Sequence, residues 1–392
     1  MSVKFIHTAD WQIGKPFARI SDDRKRFIVQ NQRVEAVKRV ALAVEESNAS
    51  FVLVAGDLFD SNTADKPTVS AACSAIGEIR VPVIAIPGNH DHGGPGSVWN
   101  QDFFIREKSQ LAPNLFILLK PEPFEIEEAV ILPCPLLRRH ESLDCTAWLR
   151  DERVFQTFRD KPRIVLAHGS VHGFTGESGA DEEDHADSNR ISLENLPLAE
   201  IDYIALGDWH GCMQVEAKAW YSGTPEHDSF PRSEEHKPGH VLIVEARREG
   251  EPVVEQAATG GLRWSTLSHD FSGDDDLAYF QDQVHQIVES RTNQDLLRLS
   301  LSGSLGIEAC SRLEEILETL EARLLRLKLD NQTMIAPTEE EIDRLTQRAE
   351  DPVLSMVARK LVNMLHSEEE SARIAAAALR ELHGAVSKRG VL

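Results

Sequence analysis

The fold is decided by residues 51–60, FVLVAGDLFD, in which an apolar, β-branched run ends abruptly in Gly56-Asp57. Continuous apolar runs of this length are typical of parallel strands that are buried on both faces. Asp57 then follows the carboxyl end of its strand, which is where open α/β sheets bind their ligands. We therefore expect Asp57 to lie in a functional site.

Four further stretches show the same pattern, an apolar run followed by a residue that can bind a metal. They are residues 3–10, which end at Asp10, residues 81–91, which end in Asn89-His90-Asp91, residues 163–168, which end at His168, and residues 203–210, which end in Asp208-Trp209-His210. Core packing alone does not explain five such runs. We expect their carboxyl ends to meet at one edge, where the side chains form a cluster.

Helical patterns separate the first three runs. Apolar residues recur on one face of residues 24–46, at Phe27, Val34, Val37, Ala41 and Val44, and a second helix is predicted for residues 65–79. Parallel strands require such crossovers, so residues 1–90 predict a β-α-β-α-β series in one sheet. Further strands are predicted at residues 115–119, 129–132, 220–221 and 240–245.

The composition changes near Ser268, where a smaller unit is predicted to begin. Alternating leucines predict strands around residues 297–301 and 325–329, with an amphipathic helix between them. Beyond residue 336 the pattern is helical, with a capping box at Thr338 and Glu341, a helix start at Asp351 and a stop at Gly384. We expect three domains, at residues 1–267, 268–335 and 336–392.

Length, charge and cysteine content limit the class of protein. The formal net charge of −22 over 392 residues argues against a broadly basic surface that coats nucleic acid. An enzyme can still meet DNA locally, because bound cations reverse the charge of an acidic site. Basic residues after the first motif, such as Lys15, are expected to be solvated. With neither a membrane span nor a signal peptide, and with scattered cysteines, a cytoplasmic protein is expected.

The candidate ligands are carboxylates, an amide and imidazoles, without thiolates. This set suits Mn²⁺, Mg²⁺ or Fe²⁺ better than structural zinc. Two such ions about 3.5–4 Å apart can clamp the attacking and leaving oxygens of a phosphoryl transfer, and a carboxylate can bridge them. Two divalent ions are therefore expected, with Mn²⁺ as the first choice.

The order of the motifs resembles that of the calcineurin-like metallophosphoesterases. The motifs are Asp10-Trp11-Gln12, Gly56-Asp57-Leu58-Phe59-Asp60, Gly88-Asn89-His90-Asp91, His168-Gly169 and Gly207-Asp208-Trp209-His210. Within that family, the N-terminal first motif, residues 221–225 and the small C-terminal unit resemble the SbcD/YhaO branch of DNA repair exonucleases. The family resemblance covers about residues 1–245. It implies an α/β protein, a four-layer α/β/β/α sandwich, to which the branch adds a small α+β C-terminal cap and terminal helices.

By position, the resemblance implies that the two ions share seven ligands: Asp10, Gln12, Asp57, Asn89, His168, Asp208 and His210. Asp57 would bridge the ions, with Asp10 and His210 on the first and Asn89 and His168 on the second. His172 is the main alternative to His168. The family usually has histidine at the positions of Gln12 and Asp208, so these two residues put metal selection and activity in question.

The resemblance also implies catalytic roles for His90, Asp60 and Asp91. His90 would protonate the leaving oxygen or stabilise charge on the phosphoryl group, and the two aspartates would orient imidazoles. The implied activity is a metal-dependent nuclease, an exo- or endonuclease that acts in DNA double-strand-break repair or end processing. The implied partners are DNA, an SMC-like ABC ATPase of the SbcC or YhaN kind, and a second copy of the chain.

Two alternatives stay open at this point. One is a phosphodiesterase that acts on small nucleotides or phosphoproteins. The other is a non-catalytic scaffold that binds DNA or tethers the ATPase, in which Gln12 and Asp208 have degraded the metal site. An acidic stretch at residues 181–187 is predicted to be a surface loop without an assigned role.

Overall fold

A computed structural model describes residues 2–156, 158, 160–171, 188–231, 237–248, 250–348, 351–367 and 369–387. The chain divides into two compact units, Met1–Leu262 and Arg263–Leu392. His172 and the acidic stretch at residues 181–187 lie outside the described residues.

The first unit contains a six-stranded sheet built around the predicted β-α-β-α-β series. Its strands are β1 (Ser2–Thr8), β2 (Val52–Ala55), β3 (Val83–Ile86), β4 (Leu115–Ile117), β13 (His240–Arg247) and β14 (Val253–Ala258), in the order β14-β13-β1-β2-β3-β4. The strand β1 pairs in parallel with β2 and antiparallel with β13. The single sheet predicted for the first three runs is confirmed, whereas β14 was not predicted.

A second six-stranded sheet in this unit carries the other two runs. Its strands are β5 (Phe124–Glu125), β6 (Val130–Cys134), β7 (Arg163–His168), β10 (Tyr203–Gly207), β11 (Met213–Glu216) and β12 (Ala219–Tyr221), in the order β11-β12-β10-β7-β6-β5. A short pair, β8 (Ser170–Val171) and β9 (Arg190–Ile191), follows β7. The five runs therefore end in two sheets, and our expectation of a single sheet edge was wrong. Apolar runs alone do not show which sheet a strand joins.

Helices and side chains arrange the two sheets in layers. The helices α1 (Asp23–Ser47), α2 (Lys66–Gly77) and α3 (Asp102–Leu111) share a core with the first sheet. Residues of both sheets, including Phe5 and Ile164, form the core between them. The other face of the second sheet packs against α4 (Arg153–Gln156) and a short 3-10 helix that begins at Leu193. The predicted α/β/β/α class is confirmed, although Phe27 of α1 is 66% exposed and does not join the buried face.

The second unit is a small parallel sheet with helices. Its elements are β15 (Arg263–Phe271), α5 (Asp276–Val288), β16 (Asp295–Leu305), α6 (Ile307–Arg323), β17 (Arg326–Asn331), β18 (Met334–Ile335), α7 (Glu339–Thr346), α8 (Pro352–Met364) and α9 (Glu369–Ser387). The strand β16 pairs with β15, β17 and β18. The predicted boundary at 267/268 falls inside β15, and β15 pairs with β16 along its whole length.

The helical segment after residue 336 is part of the same unit, contrary to our three-domain expectation. Thr338 and Glu341 form the predicted capping box of α7. The Glu341 carboxylate also accepts hydrogen bonds from the amides of Ile307 and Glu308 at the start of α6, which joins the segment to the sheet region. The predicted stop at Gly384 was wrong, since α9 continues to Ser387. No helix among the described residues is long and apolar enough to span a membrane.

His7 connects the two sheets of the first unit. Its Nδ1 lies 3.0 Å from the Tyr203 hydroxyl, and its Nε2 lies 3.2 Å from the carbonyl oxygen of Leu206. Burial lowers the pKa of His7 from 6.5 to about 3, although the hydrogen bond to Leu206 opposes this shift. The ring is therefore neutral at neutral pH, with Nε2 donating to Leu206 and Nδ1 accepting from Tyr203.

We expect this neutral histidine to make the fold sensitive to acid. The pKa of His7 in the folded state lies below its unfolded value of 6.5. As the pH falls below 6.5, the unfolded chain therefore binds a proton that the folded chain does not. The free energy of unfolding falls as a result, until about pH 3. The loss at pH 5 is about 2 kcal/mol. Denaturant unfolding at pH 7 and pH 5 measures it, and a His7→Gln variant should lose about 2 kcal/mol less than wild type. Equal losses would show that His7 does not carry the effect.

Candidate functional site

Asp10, Asp57 and His168 converge at the carboxyl ends of β1, β2 and β7. Each offers one ligand atom, these atoms lie within 4.8 Å of one another, and all three residues are buried. His168 Nε2 lies 3.7 Å from a carboxylate oxygen of Asp57. Buried carboxylates in such proximity require a cation or a proton to balance them. The three residues therefore form a candidate metal centre.

Asn89 and Asp208 face the same ring nitrogen of His168. Asn89 Oδ1 lies 3.1 Å and Asp208 Oδ1 lies 3.8 Å from Nε2. The other ring nitrogen, Nδ1, donates to the carbonyl oxygen of Ala55 at 2.8 Å, which fixes the ring orientation. The Ser170 hydroxyl donates to the second oxygen of Asp208 at 2.7 Å. Carboxylate and amide oxygens thus surround Nε2 of this imidazole.

The pKa values reflect this crowding of acidic groups. Burial lowers the pKa of His168, but the carboxylates of Asp57, Asp10 and Asp208 raise it more, to about 9. Burial raises the pKa of Asp10 to about 6, against the opposing effects of His210 and His168. The surrounding carboxylates stabilise the protonated, positively charged form of the His168 imidazole. The carboxylates therefore favour a positive charge at this position.

His210 and Gln12 form a neighbouring group with two residues that were not assigned to the site. His210 Nδ1 donates to Asp228 at 2.8 Å, and its Nε2 lies 3.4 Å from the amide nitrogen of Gln12. Lys15 Nζ donates to Gln12 Oε1 and to Asp228, both at 2.7 Å. Lys15 is thus a bound cation rather than the solvated charge we expected. Asp228 was missed because it follows no apolar run.

His90 lies beside this centre. Its amide donates to Asp57 Oδ1 at 2.9 Å, and its ring Nδ1 lies 3.0 Å from the backbone carbonyl oxygen of Asp60. We had expected the Asp60 carboxylate to orient the His90 ring. The backbone carbonyl of Asp60 makes this contact instead.

The Asp91 carboxylate has a different partner from the one expected. It accepts hydrogen bonds from the amides of Phe59, at 3.0 Å, and Gly88, at 2.7 Å, and so connects the loops that follow β2 and β3. Burial raises the pKa of Asp91 to about 7, and the nearby charge of Asp57 adds to this shift. Asp91 positions backbone rather than an imidazole in this structure.

The backbone at the site is held in conformations that L-residues rarely adopt. Positive φ angles occur at Asp10 (53°), Gln12 (41°), Asp57 (54°) and Asp208 (104°). Each costs about 1–3 kcal/mol, and such strain collects at functional sites. A Cβ at Gly56 would lie 2.3 Å from His168 Nδ1, and one at Gly88 would lie 2.1 Å from Asp57 Oδ1. Both positions therefore require glycine for the side chains to approach.

Arg33 of α1 holds the strained loop in place. This residue is buried, and its guanidinium donates to the carbonyl oxygens of Trp11 at 2.6 Å, Asp10 at 2.8 Å and Glu226 at 3.3 Å. It also donates to the Thr224 hydroxyl at 3.0 Å. The sequence did not single it out, because one arginine within a charged helix gives no signal of burial.

Comparisons with known proteins find distant relatives of this chain. A curated relative from Staphylococcus epidermidis, named as a subunit of the nuclease SbcCD, is 23% identical over 259 residues, which cover 62% of this chain and 66% of the relative, just under two thirds of its length. TT1561 of Thermus thermophilus has 13% identity and a TM-score of 0.40, covering 66% of this chain and 100% of its own. GAP50 of Plasmodium has 12% identity and a TM-score of 0.38, with 66% and 85% covered.

The family comparison covers all seven predicted metal ligands. The sequence model of the calcineurin-like phosphoesterases matches residues 3–212, which is more than half of the chain and includes all five motifs. The chain belongs to the calcineurin-like phosphoesterase family.

Proposed function

We propose that the chain is a two-metal-dependent DNA phosphodiesterase, an exo- or endonuclease that acts in double-strand-break repair or end processing. Family membership supports hydrolysis of phosphate esters with divalent metals, and the relative from Staphylococcus epidermidis is named a nuclease. The observation that carries the proposal is the buried convergence of Asp10, Asp57 and His168, whose ligand atoms lie within 4.8 Å of one another.

The residues present fit two divalent cations. Asp10, Gln12 and His210 are proposed for the first position, Asn89, His168 and Asp208 for the second, and Asp57 as the bridge between them. Oxygen and imidazole donors favour Mn²⁺, with Mg²⁺ or Fe²⁺ as alternatives. When bound, the cations neutralise charge on the phosphate and activate water. Asp228 keeps the His210 ring in place through the 2.8 Å hydrogen bond to Nδ1.

His90 is the residue proposed to handle the leaving group. Its ring Nδ1 donates to the Asp60 carbonyl oxygen, so Nε2 is the atom that can deliver a proton. The amide of His90 is held by Asp57, which ties the position of the ring to the bridging carboxylate. These two contacts fix the position of the proposed proton donor relative to the proposed metal ligand Asp57.

The test is cleavage of end-labelled linear double-stranded DNA with Mn²⁺, with Mg²⁺ or with chelator. We expect metal-dependent cleavage that falls by about 10²–10⁴-fold in a His90→Ala variant, because the proton donor is lost. His285→Ala, at an exposed position in α5, is the matched control and should cleave like wild type. Cleavage in chelator, or an unaffected His90→Ala variant, would contradict the proposal.

A non-catalytic scaffold is the second candidate function. The observation that favours it is the hydrogen bond from Lys15 to Gln12 Oε1, the atom that would otherwise bind the first cation. A scaffold would bind DNA without cleaving it, even at millimolar Mn²⁺. Cleavage of a small chromogenic phosphodiester while DNA is ignored would instead favour a phosphodiesterase of small substrates.

We further propose that the chain works in the cytoplasm as a homodimer with an SMC-like ABC ATPase of the SbcC or YhaN kind. The name of the curated relative, which makes it one part of SbcCD, supports the ATPase as partner. On α8 and α9, Val353, Met356 and Ile374 are each more than 60% exposed, which fits a helix-binding surface. Co-purification with the ATPase tests this assignment.

A further inference from the structure

Lys15 occupies a defined position inside the candidate centre. Its side chain is 26% exposed, and its Nζ donates to the Asp228 carboxylate, which is 4% exposed. The same Nζ donates to Gln12 Oε1 at 2.7 Å. An ammonium that is held by a buried carboxylate and an amide oxygen is a fixed positive charge, because both partners are positioned by the fold.

This contact determines which way the Gln12 amide faces. Lysine can only donate hydrogen bonds, so the Gln12 atom that faces it is the oxygen. The amide nitrogen then faces His210 Nε2, at 3.4 Å. The two atoms proposed to bind the first cation, Gln12 Oε1 and His210 Nε2, are therefore both engaged by neighbouring protein groups.

The charges around the two cation positions are also unequal. The first position lies near two fixed positive charges: Lys15, whose Nζ contacts the Asp228 carboxylate, and the buried guanidinium of Arg33, which donates to the Asp10 backbone carbonyl oxygen at 2.8 Å. Asp57 is proposed to serve both positions, whereas the Asp208 carboxylate oxygen, 3.8 Å from His168 Nε2, adds negative charge at the second. A divalent cation is attracted more strongly to the second position.

We propose that Lys15 is a positioning residue that makes the two metal positions unequal. The position formed by Asp57, Asn89, His168 and Asp208 binds tightly, and the position near Gln12 and His210 fills only at higher metal concentration. This inference rests on the proposed function, because it describes the same two-metal site. It implies that the active two-metal form depends on the concentration of free Mn²⁺.

The experiment is a Mn²⁺ titration of the full chain, with bound metal counted by electron paramagnetic resonance. Wild type should bind one ion tightly and a second at least about tenfold more weakly. Lys15→Met should strengthen the second binding step by about tenfold or more and leave the first step unchanged. Lys4→Met is the matched control, because Lys4 is exposed and lies at the opposite end of β1 from the centre.

A second variant, Lys15→Gln, keeps a hydrogen-bond donor but removes the charge. Circular dichroism verifies that each variant is folded. Strengthening of the weak step in both variants supports the inference. Two equal steps in wild type, or a weak step that neither variant changes, would overturn it. DNA cleavage is measured separately. Unequal Mn²⁺ binding without DNA cleavage would contradict only the proposed nuclease activity. DNA cleavage with two equal Mn²⁺ binding steps would contradict only the role of Lys15.

Discussion

An Asp57→Asn variant is expected to lose metal-dependent DNA cleavage by at least about 10³-fold. Asp57 Oδ1 accepts the His90 amide at 2.9 Å and lies 3.7 Å from His168 Nε2. Asparagine has nearly the same shape and can still accept the hydrogen bond from His90. The variant therefore removes the negative charge of the proposed bridge and keeps the hydrogen bond to the His90 backbone, so both proposed cation positions lose a ligand charge.

Cleavage rate and Mn²⁺ binding should be measured together on this variant. We expect bound Mn²⁺ and cleavage to fall in parallel, while the circular dichroism spectrum stays that of wild type. Asp102→Asn, at an exposed position in α3, removes the same charge away from the centre and should have no effect. A folded Asp57→Asn protein that binds and cleaves like wild type would rule out Asp57 as the bridge.

The second large effect is expected at Arg33, where Arg33→Met should lower the free energy of unfolding by about 3–5 kcal/mol. Methionine fills much of the same space but cannot donate hydrogen bonds. The carbonyl oxygens of Asp10, Trp11 and Glu226 would each lose a buried donor. Since Asp10 has a φ of 53°, the loop that presents it would also lose the group that holds its strained backbone.

Denaturant unfolding measures this loss, with Arg24→Met as the control. Arg24 lies in the first turn of the same helix and is exposed, so its replacement should change stability by less than about 0.5 kcal/mol. Arg33→Lys keeps the positive charge but cannot reach all four acceptors, and its stability should be intermediate. If Arg33→Met were as stable as Arg24→Met, the guanidinium would not be what holds the loop.

The sequence was most informative where the polar residue directly follows an apolar run. The runs before Asp57 and His168 became β2 and β7, and the fold brings both residues together with Asp10. This succeeds because a buried strand has a strong composition signal, and a residue just beyond its end has little freedom of position.

Residues that act from elsewhere in the chain left no such signal. Asp228 lies in a loop, and Arg33 lies in a helix whose polar residues are mostly exposed, so their burial depends on distant contacts. The start of β15 was missed for a related reason. Between the buried Trp264 and Phe271, half-buried and exposed residues alternate along this strand, and its polar positions concealed it. Only tertiary pairing with β16 identifies it.

The position of β1 between β2 and β13 has a consequence for how the protein is made. In sequence order, four strands of the first sheet come first and all strands of the second sheet follow. The last two strands of the first sheet, β13 and β14, come after them. A nascent chain that has just passed His210 already contains every proposed metal ligand, yet β1 still presents an open hydrogen-bonding edge. Synthesis of the ligands therefore precedes completion of the scaffold that carries Asp10. Any truncation before His240 would leave that edge available for aggregation.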